Sequence, residues 1–214
     1  MTKILRIDPR VPEEAIIQEA AQALREGRLI AFPTDTLYGL GANAMDPQAI
    51  EAVFSAKGRP QDKPLIVLAR DLSMVEALVE GIDALARKLM NRFWPGPLTL
   101  ILFSSPRLPP SLTADTQRLG VRIPDSVISQ ALLKAISFPL TAPSANRSGG
   151  RDPVNAQMVW EELVGKIELL LDGGPVAGIP STILDMTRHP PQILRQGAVS
   201  RHAISELIDL NESP

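Results

Sequence analysis

The stretch "AKGRPQDKPLIVL", residues 56–68, sets Lys57, Arg59 and Lys63 between the end of an apolar-faced segment and the start of an apolar run. Gly58 frees the backbone while Pro60 biases Arg59 toward an extended conformation, so the directions open to these cations are restricted. Exposed lysines are usually solvated decoration, but cations on a stiffened loop suggest a held anion. The stretch reads as helix end, rigid loop and then the strand "LIVLA", which is one step of an α/β chain.

Upstream, Asp46 and Pro47 make an N-cap and first-turn pair for a helix through Ile50, Val53 and Phe54 that ends near Gly58. An earlier helix is expected over Glu13–Glu26, where Ala15, Ile16, Ala20, Ala23 and Leu24 share a face and Gly27 can stop it. The strand "RLIAF" follows. Downstream, helices are expected near 72–80, 83–93, 126–136 after Asp125, 155–164, and 201–209 after Ser200. Strands are expected at "LTLILF", "LGVRI", the "FPLTA" region, "IELLLD", "STILDM" and "QILRQ". Several neighbouring strands lack a helix between them, which argues against a purely parallel, doubly wound sheet. The expected fold is α/β: a twisted mixed parallel/antiparallel sheet with flanking helices, in one domain over residues 1–214. There is no internal repeat or linker, and a frayed tail is expected at about 210–214.

Composition narrows the function classes. The chain has 214 residues, 44% of them hydrophobic, enough for a substantial core. Twenty-two Lys and Arg stand against 24 Asp and Glu, a balance that argues against coating nucleic acid with the whole surface while allowing a local basic cavity. With no cysteine, disulfides, thiolate nucleophiles and cysteine-ligated metal centres are excluded, and a cytoplasmic setting is the simple reading. The N-terminus has no long apolar core, and runs such as "LTLILF" are far shorter than a membrane span, so the expectation is a soluble, unexported chain.

Four loops combine small or hydroxyl residues with Gly or Pro beside an apolar strand: "FPTDTLYGLGAN", "KGRPQDKPL", "TAPSANRSGG" and "GIPSTILD". Any one of them is more often a turn or cap than a ligand site; together, with cations, they point to a site. In the first, Thr34 and Thr36 flank Asp35, and Gly39 and Gly41 allow close backbone approach to a small polar ligand. In the third, Ser144 and Asn146 offer groups that suit phosphate oxygens or a base edge. Arg122 in "LGVRIP" and Arg195 in "QILRQG" are costly in apolar strands unless they face solvent, a partner or an anion. No P-loop or complete G-x-G-x-x-G occurs, and no compact carboxylate cluster suggests a protein-built metal cage. Cations and hydroxyls without an obvious nucleophile suit transfer at phosphorus between substrates that bring their own reactive groups.

The motifs "FPTDTLYGLGA", "AKGRPQDKPLIV", "APSANRSG" and "STILD" with a later "ILRQG" resemble the Sua5/YciO/YrdC family over about residues 12–202. The pairing of K-x-R (Lys57, Arg59) with S-x-N (Ser144, Asn146) is specific. The resemblance implies a twisted fold around a deep positive cavity and L-threonylcarbamoyladenylate synthase activity. L-threonine, bicarbonate and ATP would give threonylcarbamoyl-AMP and pyrophosphate, supplying the t6A modification of tRNA. It also implies that Lys57, Arg59, Lys63, Ser144, Asn146 and Arg195 bind ATP, with Lys57 and Arg59 catalytic, and that Thr36, Arg122 and Ser181 receive L-threonine. Mg2+ would arrive on the ATP phosphates. The implied partners are the machinery that uses the adenylate for t6A transfer, with tRNA contact compatible and no membrane.

The chain departs from the family pattern in places. Many members carry histidine near the threonine site where this chain has Leu68, which puts one threonine contact in question; Gln196 replaces a frequent proline, and the second domain of long Sua5-type members is not seen by residue 214. The alternatives are a YciO-like paralogue without this activity and a protein that binds tRNA or double-stranded RNA. An aromatic content of 4% gives little stacking surface for the latter.

Overall fold

The helix that ends in the cationic stretch is built as its flanks demand. Asp46 accepts a hydrogen bond from the Gln48 N–H, Pro47 fills the first turn, and Gly58 at φ 58° ends it, in a left-handed conformation that costs glycine little. The computed structural model describes residues 1–211. The tail expected at about 210–214 thus lies mostly outside the described residues; within them, the Asn211 N–H donates to the Pro191 carbonyl at 2.9 Å.

The first half of the chain forms β1 (Lys3–Arg6), α1 (Glu14–Arg25), β2 (Ile30–Pro33), β3 (Tyr38–Gly41), α2 (Pro47–Lys57), β4 (Ile66–Leu68), α3 (Leu72–Leu78), α4 (Ala84–Phe93) and β5 (Leu98–Phe103). There follow α5 (Pro110–Thr113), β6 (Arg118–Arg122), α6 (Val127–Ala135), β7 (Leu140–Thr141), α7 (Ala156–Leu163), β8 (Leu169–Asp172), β9 (Thr182–Asp185), β10 (Gln192–Arg195) and α8 (Arg201–Ser205). The expected helices and strands are present within a few residues. Ser126 rather than Asp125 caps α6, accepting from the Ser129 N–H.

Three elements were not expected: β1, β3 and the single turn α5. The glycines of "YGLG" read as a ligand loop, yet they lie in a strand antiparallel to β2. A Cβ on Gly41 would stand 2.8 Å from the Phe32 ring, so that glycine makes room for core packing, not for a ligand.

The mixed sheet divides in two, with strand orders β1-β8-β2-β3 and β10-β9-β5-β6-β4-β7. Both mix parallel and antiparallel pairs: the first has two parallel pairs and then the antiparallel β2–β3 pair, and in the second the two kinds alternate. Short bridges join β3 to the region around β7: Gly39 pairs with Ser144 and Asn43 with Leu140. The Leu40 N–H also donates to the Pro143 carbonyl at 2.8 Å. This seam brings the first and third loops side by side.

Strand alternation then decides which sheet face stays open. Leu98, Leu100 and Leu102 of β5, with Leu119 and Val121 of β6, point into the main core with residues of α2 to α4. Thr99 and Ile101 of β5, Gly120 of β6, and Ile183 and Asp185 of β9 line a hollow on the other face. A second core packs α1 and α6 onto β2 and β8 and includes Leu68 and Leu140. No helix among the described residues is long and apolar enough to cross a membrane.

Candidate functional site

Two adjoining hollows lie along the seam, sharing Ile66, Pro143, Ser144 and Arg195 in their walls. The smaller, about 60 Å³, is polar and is lined by Thr34, Thr36, Arg122 and Ser181 among others. The larger, about 420 Å³, lies on the open face of the six-stranded sheet, where Ile66, Ile101 and Ile183 give an apolar floor and Arg59 stands at the wall. In place of one deep cavity the structure has this pair.

The small hollow is organised by Arg122 at the end of β6. Its Nη1 donates to both carboxylate oxygens of Asp35 at 2.9 Å, and its Nη2 donates to the hydroxyls of Thr36 at 3.0 Å and Thr34 at 3.3 Å. The residue is 4% exposed, and burial pushes the guanidinium pKa below its ordinary value while Asp35 opposes that shift. The loop is stiffened from within, because Thr34 Oγ1 donates to the Leu37 carbonyl and accepts from the Thr36 N–H. This side-chain turn is the kind that Thr makes with nearby backbone.

Across the hollow, Arg195 donates from Nε and Nη2 to the Ser181 carbonyl and from Nη2 to Ser181 Oγ at 3.1 Å. Ser181 Oγ in turn shares a hydrogen bond of 2.8 Å with Thr99 Oγ1. Burial lowers the Arg195 pKa; Asp152 pulls it back and the Arg122 charge adds to the fall. The small hollow therefore holds two guanidinium groups and several hydroxyls, a donor set suited to a small carboxylate beside an alcohol or amine.

The cations of the opening stretch separate. Lys57 turns inward: its ammonium donates to the carbonyls of Ser144 and Asn146, each at 2.6 Å, and to Asn146 Oδ1 at 3.1 Å. Burial, then the nearby Arg59 charge, push its pKa down to about 8. Arg59 folds over its own loop, donating to the Lys63 and Pro64 carbonyls, and burial lowers its pKa too. Lys63 is exposed and contributes its backbone carbonyl.

Asn146 is fully engaged with the protein. Its Nδ2 donates to the Gly150 and Arg151 carbonyls, and its Oδ1 accepts from Ser144 Oγ at 2.7 Å as well as from Lys57. Ser144 lines both hollows. The structure thus brings Thr36, Arg122, Ser181, Ser144, Arg195 and Arg59 to the walls of the two adjoining hollows, sets Lys57 and Asn146 behind Ser144 as the frame of a wall, and leaves the exposed Lys63 lining neither hollow.

Leu68 pairs in register with Arg122, so both side chains leave the sheet on the same face. Leu68 is fully buried in the second core and lines neither hollow. Sequence reasoning missed Asp35 and Thr99 as parts of the site. Thr99 carries a local signal, a hydroxyl in the otherwise apolar "LTLILF". Asp35 carries none, because its partner lies 87 positions away. Among the described residues, no group of three or more His, Asp or Glu side chains is placed to hold a metal ion.

Comparison with known proteins places these residues in context. Residues 22–197 match the Sua5, YciO and YrdC family model, described as "Telomere recombination". Threonylcarbamoyl-AMP synthase of Pyrococcus abyssi is 44% identical over 209 residues, covering 97% of this chain and 61% of that protein. The Bacillus subtilis protein of the same name is 42% identical, covering 92% and 61% respectively; the chain spans about three fifths of these relatives' length. The crystal structure of P. abyssi Sua5 complexed with L-threonine superposes with a TM-score of 0.94 at 42% identity, over 98% of this chain and 63% of that one.

Proposed function

This chain belongs to the Sua5/YciO/YrdC family, and from that premise we propose that it joins L-threonine, bicarbonate and ATP into threonylcarbamoyl-AMP and pyrophosphate. The observation that carries the reading is the junction of the two hollows. A polar pocket with Arg122, Thr36 and Ser181 opens beside an apolar sheet face, and Ser144 and Arg195 stand in both walls. The amino acid would occupy the polar hollow, its carboxylate on Arg122 and its polar groups on Thr36 and Ser181. The nucleoside would lie on Ile66, Ile101 and Ile183, with the phosphates toward Arg59, Ser144 and Arg195.

In this arrangement the threonine amine attacks the bicarbonate carbon; a carbamate forms and water leaves. A carbamate oxygen then attacks the α-phosphorus, and the bond to pyrophosphate breaks. Arg59 and Arg195 would stabilise the charge that builds on the phosphoryl oxygens, which is where positioned cations contribute most. Lys57 would serve the same step as the group that holds the Ser144–Asn146 wall. Magnesium would travel on the ATP phosphates, neutralising pyrophosphate as it departs.

The labile adenylate calls for a downstream transferase that passes the threonylcarbamoyl group to tRNA, and the cytoplasm is the setting we assign. Supplying threonine, bicarbonate and Mg-ATP to the purified chain tests this reading through pyrophosphate release. Release must depend on threonine, and release independent of threonine contradicts the assignment.

A further inference from the structure

We propose that Asp35 is a positioning residue for the amino-acid half of the site, fixing the plane of Arg122 so that one defined edge of the guanidinium meets the substrate carboxylate. The proposal deepens the reading of the polar hollow given above and rests on it. Asp35 does not line that hollow; Thr34, Thr36 and Arg122 do. It stands behind Arg122, with 11% of its side chain exposed.

The direction of control follows from which partner is held by other bonds. Asp35 sits at the tip of a turn closed by Thr34 and anchored by the Gly178 N–H donating to the Thr36 carbonyl at 2.9 Å. The loop therefore places Asp35, and Asp35 places the guanidinium. With Nη1 on the carboxylate and Nη2 on the two threonine hydroxyls, no described residue bonds to Nε. Nε is thus the guanidinium nitrogen left for a planar anion, and a carboxylate that also takes one Nη2 hydrogen from a threonine hydroxyl meets the Nε–Nη2 edge in a fork. A charge buried this far is also costly without a counter-ion; Asp35 supplies it, so the hollow need not wait for substrate to hold its cation.

Asp35→Asn tests this with two readouts. Nitrogen-15 NMR of the Arg122 side chain reads whether rotation of the guanidinium is hindered, and steady-state kinetics read KM for threonine and ATP separately. Loss of hindered rotation is expected, with threonine KM raised at least about tenfold, ATP KM held within about twofold, and partial recovery in Asp35→Glu. Unchanged Arg122 signals or an unchanged threonine KM would overturn the proposal. So would equal rises in both KM values with matching losses of thermal stability in the two variants, which mark a scaffold role alone. If Asp35→Asn does not fold, Asp35→Glu decides, since its displaced carboxylate must still raise threonine KM selectively. A wild-type chain without threonine-dependent turnover defeats the proposed function, whereas the NMR arm still decides whether Asp35 fixes Arg122.

Discussion

Lys57 and Asn146, 89 positions apart, are joined twice: the buried ammonium donates to the Asn146 carbonyl at 2.6 Å and to its side-chain oxygen at 3.1 Å. A third bond runs to the Ser144 carbonyl. The last turn of α2 thereby carries the wall that faces both hollows.

Removing that ammonium should injure stability as well as turnover. The Ser144 carbonyl keeps the Asn146 N–H at 2.9 Å, but the Asn146 carbonyl would lose its ammonium donor, a loss of about 1–3 kcal/mol, and in a chain of this size each kcal/mol is about 2–4 °C of Tm. Lys57→Ala is expected to lose several degrees and at least about tenfold in turnover. Arg59→Ala is expected to lose at least about tenfold in turnover with little change in Tm. Thermal melts beside kinetics separate the two; equal Tm values for both variants would contradict the clamp.

The same lysine makes a pH prediction. Its pKa is pushed down to about 8 in the folded chain, against about 10.4 for a lysine in water. Between those values the unfolded chain binds more protons, so unfolding free energy rises with pH. Lys57→Met lacks this titration. The Tm of the wild type relative to Lys57→Met should increase from pH 8 toward pH 10, and a decrease over that window would reverse the sign of the burial argument.

At the seam, the two glycines of β3 should differ. An added Cβ on Gly39 meets its nearest neighbours at 3.4 Å or beyond, whereas on Gly41 it meets the Phe32 ring at 2.8 Å. Gly41→Ala should therefore cost on the order of 1–3 kcal/mol by overpacking, and Gly39→Ala clearly less. Denaturant unfolding of both variants checks the order.

These residues also show what was legible in the chain. The limits of α2 were, because Asp46, Pro47 and Gly58 act locally, and so was a mixed α/β sheet. The strand at Tyr38–Gly41 was not, because its glycines answer to Phe32 across a strand pair. The candidates for the hollows were readable as residue types on loops. Their division of labour was not, since whether Lys57 faces a ligand or a carbonyl, and whether Asp35 meets solvent or Arg122, depends on pairings nearly ninety positions apart.

The most direct measurement is to identify the product. The purified chain, incubated with L-threonine, Mg-ATP and isotope-labelled bicarbonate, should yield threonylcarbamoyl-AMP whose mass carries the bicarbonate label, together with equimolar pyrophosphate. Threonine-independent hydrolysis of ATP, or an adenylate of threonine without the labelled carbon, would contradict the proposed reaction.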